Sequence, residues 1–187
     1  NESFCHTIDV QGKIVTPGFI DQHVHITGGG GQQGYASLVP EVTMSELVAC
    51  GTTTVLGMLG TDGFAKELTT LYAKAKAIDD DGLSAYMLTS YYGLPTKTLM
   101  NSVADDLIFI DKVIGCKLAM SDDRSPFPTE QEILRIIHQV RLGGFTSGKG
   151  GILHIHLGAL PEGIEPLLNI ARHYPTLISY LSPTHLI

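Results

Sequence analysis

The sequence predicts an α/β protein made of repeated strand–helix units, arranged either as an open doubly wound sheet or as a (β/α)8 barrel. Two observations support this prediction. Short apolar or β-branched runs alternate about six times with segments of helical periodicity. The residues suited to chemistry, most of them histidines, lie at or just beyond the C-terminal ends of the predicted strands, which form the active-site face of a barrel. We therefore expect a (β/α)8 TIM-type barrel, of which about six units are present.

Each element has a local signal. The predicted strands are 17–25, 52–59, 84–90, 115–121, 151–157 and 178–181. The predicted helices are 44–50, 64–78, 103–111, 129–140 and 161–173. Thr43 and Glu46 have the spacing of a capping box at the first helix. The pair Gly143 and Gly144 is expected to end the fourth helix.

The expected domain organisation is one incomplete barrel behind a short leading segment. Residues 1–15 are interpreted as the end of a preceding N-terminal segment or small β domain, and residues 16–187 as strands 1 to 6 of the barrel. A complete barrel typically needs about 250 residues. We therefore expect the protein to continue beyond residue 187, because a sheet that lacks two strands would expose unpaired edges.

Composition excludes several classes of protein. The 187 residues are 43% hydrophobic, and mean hydropathy is +0.16, values typical of a globular chain. The net charge, 12 − 19 = −7, comes without any basic run, so we expect no nucleic-acid partner. No apolar run reaches the roughly 18 residues of a membrane span, and the N-terminus does not resemble a signal peptide. Cys5, Cys50 and Cys116 are unclustered, as expected for reduced, buried thiols in a cytoplasmic protein.

Five residues at strand ends are candidate metal ligands. His23 and His25 are two residues apart on one strand and project to the same side, an arrangement that suits a divalent cation or, alternatively, two solvated histidines. Lys117 lies within an apolar strand, where it either reaches the rim or, carboxylated by CO2, supplies oxygen ligands. His156 and His185 follow at later strand ends. His154 and His156 share a strand face, so spacing alone does not choose between them.

A glycine-rich loop follows the first strand. Four glycines at 28–31 allow positive φ angles and close approach of backbone amides to a ligand. The alternative is a flexible loop without function. Gln32 comes directly after the glycines.

These motifs together resemble the amidohydrolase superfamily with its binuclear zinc site and, more narrowly, the isoaspartyl dipeptidases. The resemblance covers nearly the whole chain. Its motifs are Pro17-Gly18-Phe19-Ile20-Asp21-x-His23-x-His25, Gly28-Gly29-Gly30-Gly31, Leu59-Gly60-Thr61-Asp62, Val113-Ile114-Gly115-x-Lys117, Ser121-Asp122-x-Arg124-Ser125 and Pro183-Thr184-His185.

The resemblance implies two Zn²⁺ ions in one site. His23 and His25 would bind one ion, His156 and His185 the other, and Lys117, carboxylated by CO2, would bridge them. Zinc-activated hydroxide would then attack the amide of a β-aspartyl dipeptide. Family members also form homo-oligomers.

The resemblance also implies substrate contacts. Arg124 would hold a substrate carboxylate, for which its planar fork is suited, and Tyr92 would polarise the scissile carbonyl. Gly30, Gly31 and Thr61 would position the polar ends of the substrate.

Two departures from the family pattern qualify this interpretation. Gln32 stands where the family has a glutamate that contacts the substrate amino group, and we expect it to slow turnover while preserving binding. A zinc-ligating aspartate, a second arginine and a serine are expected beyond residue 187. The alternatives are a dihydroorotase-like or hydantoinase-like cyclic-amide hydrolase and a non-catalytic dipeptide-binding or assembly protein.

Overall fold

A single parallel sheet organises the chain. The computed structural model describes residues 7–185, so the prediction for Cys5 and that for the first part of the leading segment lie outside it. The strands are β1 (Phe19–Val24), β2 (Thr52–Gly57), β3 (Ser84–Ser90), β4 (Val113–Met120), β5 (Ile152–Leu157) and β6 (Leu181–Thr184). All neighbours pair in parallel, in the order β1-β2-β3-β4-β5-β6. This sequential, all-parallel order is that of a TIM-type barrel and confirms the predicted fold class.

Five α-helices connect the strands and cover the sheet. They are α1 (Met44–Ala49), α2 (Leu68–Asp80), α3 (Val103–Phe109), α4 (Glu130–Ser147) and α5 (Glu165–His173). Their buried faces, such as Leu71 and Ala75 of α2, form one apolar core with strand residues such as Val55 and Leu118. Within residues 7–185, no helix combines the length and apolarity that a membrane span requires.

Local signals were accurate where side-chain chemistry determines the structure. At α1 the Thr43 side chain accepts from Glu46 N, and Glu46 Oε2 accepts from Thr43 N at 2.8 Å, which confirms the predicted capping box. Cys116 is buried, and burial raises the pKa of its thiol to about 12. The expectation of buried thiols is wrong for Cys50, which is exposed beside the end of α1.

Three predicted boundaries are wrong because turns occupy residues that were assigned to the start of a helix or strand. Helix α2 begins at Leu68 rather than 64, since Thr61–Phe64 forms a separate 3-10 turn. Helix α5 begins at Glu165 rather than 161, because Gly163 adopts a positive φ of 47°. The last strand is Leu181–Thr184 rather than 178–181. Pro175–Tyr180 forms a 3-10 turn before it.

Helix α4 continues through the glycine pair that was expected to end it. It runs to Ser147 and ends at Gly148, whose φ of 71° is left-handed. A Cβ on Gly143 would lie 2.7 Å from Leu107 Cβ on α3, and one on Gly144 would lie 2.9 Å from Gly151 Cα. The two glycines therefore permit close packing against α3 and the start of β5 rather than ending the helix.

Replacing Gly143 with alanine should destabilise the protein even though alanine favours helix formation. Helix propensity would contribute about 1 kcal/mol in favour of alanine, but overpacking against Leu107 and the Ala104 carbonyl at 3.1 Å costs about 1–3 kcal/mol. Urea unfolding should show a net loss of stability. Gly150→Ala is the control, because nothing lies within 4 Å of its added Cβ. Equal stability of the two variants would contradict the packing role.

Candidate active site

A cavity of ≈ 350 Å³ opens where the parallel strands end. Every predicted site residue except Gly31 lines it. The full lining is His23, His25, Gly30, Gln32, Gly60, Thr61, Asp62, Tyr92, Lys117, Arg124, His156 and His185. The sheet therefore gathers side chains that are up to 162 positions apart in the sequence, as His23 and His185 are.

Imidazole rings cluster on one side of the cavity. The ring centroid of His23 lies 5.4 Å from that of His25 and 5.0 Å from that of His185. His185 in turn lies 4.7 Å from His156. Histidines from the first strand, the fifth strand and the end of the sixth are therefore neighbours around the floor of the cavity.

Hydrogen bonds leave one free ring nitrogen on each of two candidate ligands. His25 Nδ1 lies 3.1 Å from the Met58 carbonyl, so Nδ1 carries the hydrogen and Nε2 keeps its lone pair. His156 Nε2 lies 3.0 Å from Asp122 Oδ2, so Nε2 donates and Nδ1 keeps its lone pair. Contacts of this kind fix the tautomer and orientation of metal-binding histidines.

The structure distinguishes His156 from His154, which the sequence did not. In the β4–β5 register His154 pairs with Lys117 and His156 with Ala119, so His156 lies two residues closer to the cavity rim. His154 is buried, with Nδ1 3.0 Å from Ser182 Oγ and Nε2 2.9 Å from His23 Nδ1. His156 therefore lines the cavity, whereas His154 hydrogen-bonds with His23 from a position two residues deeper in the sheet.

Lys117 is the most unusual residue of the site. Its side chain lines the cavity but is only 1% exposed, which excludes the alternative that it reaches the rim and solvent. Within residues 7–185 its Nζ has no hydrogen-bond partner. Burial lowers the pKa of Lys117 to about 7, so much of the amine is neutral near neutral pH. Burial and then the nearby Lys117 lower the pKa of His23 to about 3.

The glycine-rich loop is ordered. Gly30, with a φ of 85°, pairs with Leu38 in an antiparallel bridge, and a Cβ there would lie 2.7 Å from the Ser37 carbonyl. Thr61 Oγ1 donates to the Gly30 carbonyl at 3.2 Å. These contacts favour a shaped binding loop over the alternative of a flexible loop. Gly31, which does not line the cavity, makes a backbone hydrogen bond to Ser37 instead.

A second part of the cavity wall carries polar residues. Arg124 makes a two-pronged ion pair with Asp122, with Nε 2.8 Å from Oδ1 and Nη2 2.7 Å from Oδ2. The Tyr92 hydroxyl lies 3.5 Å from Arg124 Nη2, and its ring lies 4.8 Å from that of His156. Burial and Asp122 raise the pKa of Tyr92, which keeps the phenol protonated and able to donate.

The sequence motifs contain three further contributors to the site that had received no role. Asp62 lines the cavity with a fully buried carboxylate that accepts from Gly60 N at 2.9 Å and lies 3.4 Å from Lys66 Nζ. Gly60 leaves room for the His25 ring, since a Cβ at this position would lie 2.7 Å from His25 Cε1 and would displace the ring. Asp122 contacts both Arg124 and His156. The signal for each was its position in the segment that follows a strand.

The donor set of the cavity fits a divalent cation. Among the described residues, no three His, Cys, Asp or Glu side chains form a group with metal-binding geometry. A bound cation would nevertheless satisfy the free ring nitrogens of His25 and His156. Carboxylation to a carbamate would satisfy the buried Lys117 amine, which has no partner in the described chain. The metal roles of His23, His25, Lys117, His156 and His185 remain predictions.

Known structures resemble both the fold and the sequence of this chain. Two crystal structures of beta-aspartyl dipeptidase from the thermophile Fervidobacterium islandicum AW-1 match it with a TM-score of 0.88 and 47% sequence identity, one of them in complex with a beta-Asp-Leu dipeptide. Each match covers 90% of this chain and 46% of the dipeptidase chain. The chain therefore spans about half the length of these relatives.

More distant relatives share part of the sequence. Imidazolonepropionase of Ruegeria sp. is 31% identical over 100 residues, which are 52% of this chain and 25% of that protein. Imidazolonepropionase of Acinetobacter baumannii is 28% identical over 96 residues, which are 50% of this chain and 24% of that protein. No protein-family model matches the sequence. By the combined similarity of sequence and fold, the chain is a relative of the beta-aspartyl dipeptidases within the amidohydrolase superfamily.

Proposed function

We propose that this protein hydrolyses β-aspartyl dipeptides. The observation that supports the proposal most directly is the convergence of the candidate ligands and the candidate substrate contacts on one cavity of ≈ 350 Å³. The similarity to beta-aspartyl dipeptidase at 47% identity adds to it. A dipeptide with two carboxylates suits a wall that carries Arg124, Tyr92 and Thr61.

In this proposal, two Zn²⁺ ions held by His23, His25, His156, His185 and carboxylated Lys117 would supply activated water for attack on the side-chain amide. The Tyr92 hydroxyl, protonated because of its raised pKa, donates to the scissile carbonyl as negative charge develops on the oxygen. Arg124 holds a substrate carboxylate and so fixes the amide between Tyr92 and the histidines.

In the same proposal, Gln32 is the residue that limits the rate of dipeptide hydrolysis. It lines the cavity beside Gly30 and Thr61, where it can accept a hydrogen bond from the substrate ammonium. An amide carries no charge and takes up no proton, so Gln32 binds the substrate without contributing an ion pair or acid–base chemistry.

An assay of the full-length protein with zinc and bicarbonate tests the proposed function. β-Aspartyl-leucine should be hydrolysed, whereas α-aspartyl-leucine and dihydroorotate should remain intact. Opening of dihydroorotate with no cleavage of β-aspartyl-leucine would instead indicate a cyclic-amide hydrolase. Tight binding of the dipeptide without turnover would indicate a binding or assembly protein.

Assembly is proposed from the family resemblance, and location from the composition of the sequence. We propose a homo-oligomer in the cytoplasm, which interacts with neither nucleic acid nor membrane. Light scattering after size-exclusion chromatography tests the first point. A monomeric, active protein would contradict it.

A further inference from the structure

Asp122 connects the two sides of the cavity. It lies two residues after the end of β4 and is 6% exposed. Its carboxylate accepts hydrogen bonds from Arg124 Nε at 2.8 Å, Arg124 Nη2 at 2.7 Å and the Arg124 backbone N at 2.9 Å. The same carboxylate accepts from His156 Nε2 at 3.0 Å. One buried anion therefore orients a candidate substrate contact and a candidate metal ligand.

The ion pair leaves Arg124 able to bind a further anion. A guanidinium has five N–H groups, and Asp122 occupies Nε and one hydrogen of Nη2. Among the described residues, no hydrogen bond to Arg124 Nη1 is found, and Nη2 has a second hydrogen directed to the Tyr92 hydroxyl at 3.5 Å. A substrate carboxylate can therefore bind Nη1 while Asp122 holds the Nε edge of the guanidinium.

The contact with His156 acts on the other side of the cavity. Because a carboxylate only accepts, it selects the tautomer with hydrogen on Nε2 and leaves the Nδ1 lone pair for a cation. The imidazole is also held against rotation. Its ring packs 4.8 Å from that of Tyr92 and 4.7 Å from that of His185.

The backbone around Asp122 is fixed independently of these partners. Ser121 has a left-handed φ of 53°, and its hydroxyl donates to the Gly163 carbonyl at 2.6 Å. Gly158 packs so closely that a Cβ there would lie 2.4 Å from Asp122 Cβ. The Asp122 carbonyl accepts from Ser125 N at 2.9 Å. The backbone therefore holds the Asp122 carboxylate in one position, where it hydrogen-bonds with Arg124 and His156.

We propose that Asp122 is a positioning residue that sets the geometry of the substrate-binding Arg124 and of the cation-binding His156 from one carboxylate. This inference rests on the proposed function for its Arg124 half. The His156 half requires only that the site binds a divalent cation.

Asp122→Asn tests the proposal, with Asp123→Asn as its matched control. Asparagine keeps the shape but has one acceptor oxygen and no charge, so it cannot serve both partners. In the full-length protein, zinc affinity measured by chelator competition should fall about 10- to 100-fold, and the KM for β-aspartyl-leucine should rise by about 10-fold. Asp123, with an 84% exposed side chain and a 3.6 Å contact to Arg124 Nε, should change either value by less than about two-fold.

A double variant distinguishes a positioning role of Asp122 from a general disturbance of the structure. In Arg124→Met protein, Asp122→Asn should no longer raise KM, because the guanidinium that it orients is gone, but it should still weaken zinc binding. A KM effect that persists undiminished in that background would overturn the Arg124 half. Unchanged zinc affinity in Asp122→Asn would overturn the His156 half.

Two further controls keep the test decisive. If Asp122→Asn does not fold, Asp122→Glu retains the charge but displaces the carboxylate by one methylene, and it should still raise KM and weaken zinc binding. Wild-type values for that variant would overturn the proposal. Wild-type protein that binds zinc but does not cleave β-aspartyl-leucine would refute the proposed function, while the zinc comparison would still decide the role of Asp122 toward His156.

Discussion

Replacing Lys117 with methionine should reduce hydrolysis of β-aspartyl-leucine by on the order of 10³-fold or more, because metal ions contribute several kcal/mol of transition-state stabilisation. Methionine has a similar length but forms no carbamate and binds zinc poorly. Native mass spectrometry of the wild-type protein should show the added CO2 and bound zinc, and both should be lost in the variant. Activity and zinc content equal to those of the wild type would refute the role of Lys117.

The same substitution should leave the fold intact. Lys117 Nζ is buried and has no hydrogen-bond partner in the described chain, so methionine removes a desolvated amine without breaking any hydrogen bond seen there. Lys149→Met is the matched control. Lys149 Nζ donates to the carbonyls of Leu107 at 2.7 Å, Ile110 at 2.5 Å and Val113 at 3.0 Å, and none of these residues lines the cavity. Its loss should cost about 2–3 kcal/mol of stability and spare the kcat of the folded protein.

Gln32→Glu should raise the turnover of β-aspartyl-leucine about 10- to 100-fold, since a hydrogen bond to a charged group contributes about 1.5–3 kcal/mol. The new carboxylate would lie on the cavity wall, where the substrate ammonium is proposed to bind. Steady-state kinetics on the purified variant measure the effect.

Gln33→Glu provides the control for that gain. Gln33 is exposed and adjacent, and its backbone N donates to Ser37 Oγ at 3.1 Å; among residues 7–185 its side chain makes no hydrogen bond. It does not line the cavity. A similar gain in Gln33→Glu would show that added negative charge in the loop suffices. No gain in Gln32→Glu would remove Gln32 as the limiting residue.

The parts of the fold that the sequence predicted well depend on short-range signals. Strand β3 was predicted with the bounds that the structure has, Ser84–Ser90, because its apolar and β-branched residues are bounded by turn residues on both sides. The capping box at Thr43 depends on two side chains three residues apart. Such signals require no knowledge of the rest of the molecule.

The errors came from contacts between elements. Gly143 and Gly144 look like a helix end by local rules, but their missing Cβ atoms serve the packing of α4 on α3 and β5. The choice between His154 and His156 depends on depth within the sheet, which the pattern of a single strand does not specify. Asp122 stood in one motif with Arg124, but its contact with His156 becomes visible only when β4 and β5 lie side by side.

The strictly sequential strand order has a consequence for how this protein is made. Each of β2 to β6 pairs with the strand that precedes it, so sheet growth can follow the emergence of the chain from the ribosome, with short loop closures at each step. The imidazoles of His23 and His185, 5.0 Å apart, meet only when the first and sixth strands are both in place. Cation-binding capacity should therefore appear only after the sixth strand has been synthesised and has joined the sheet.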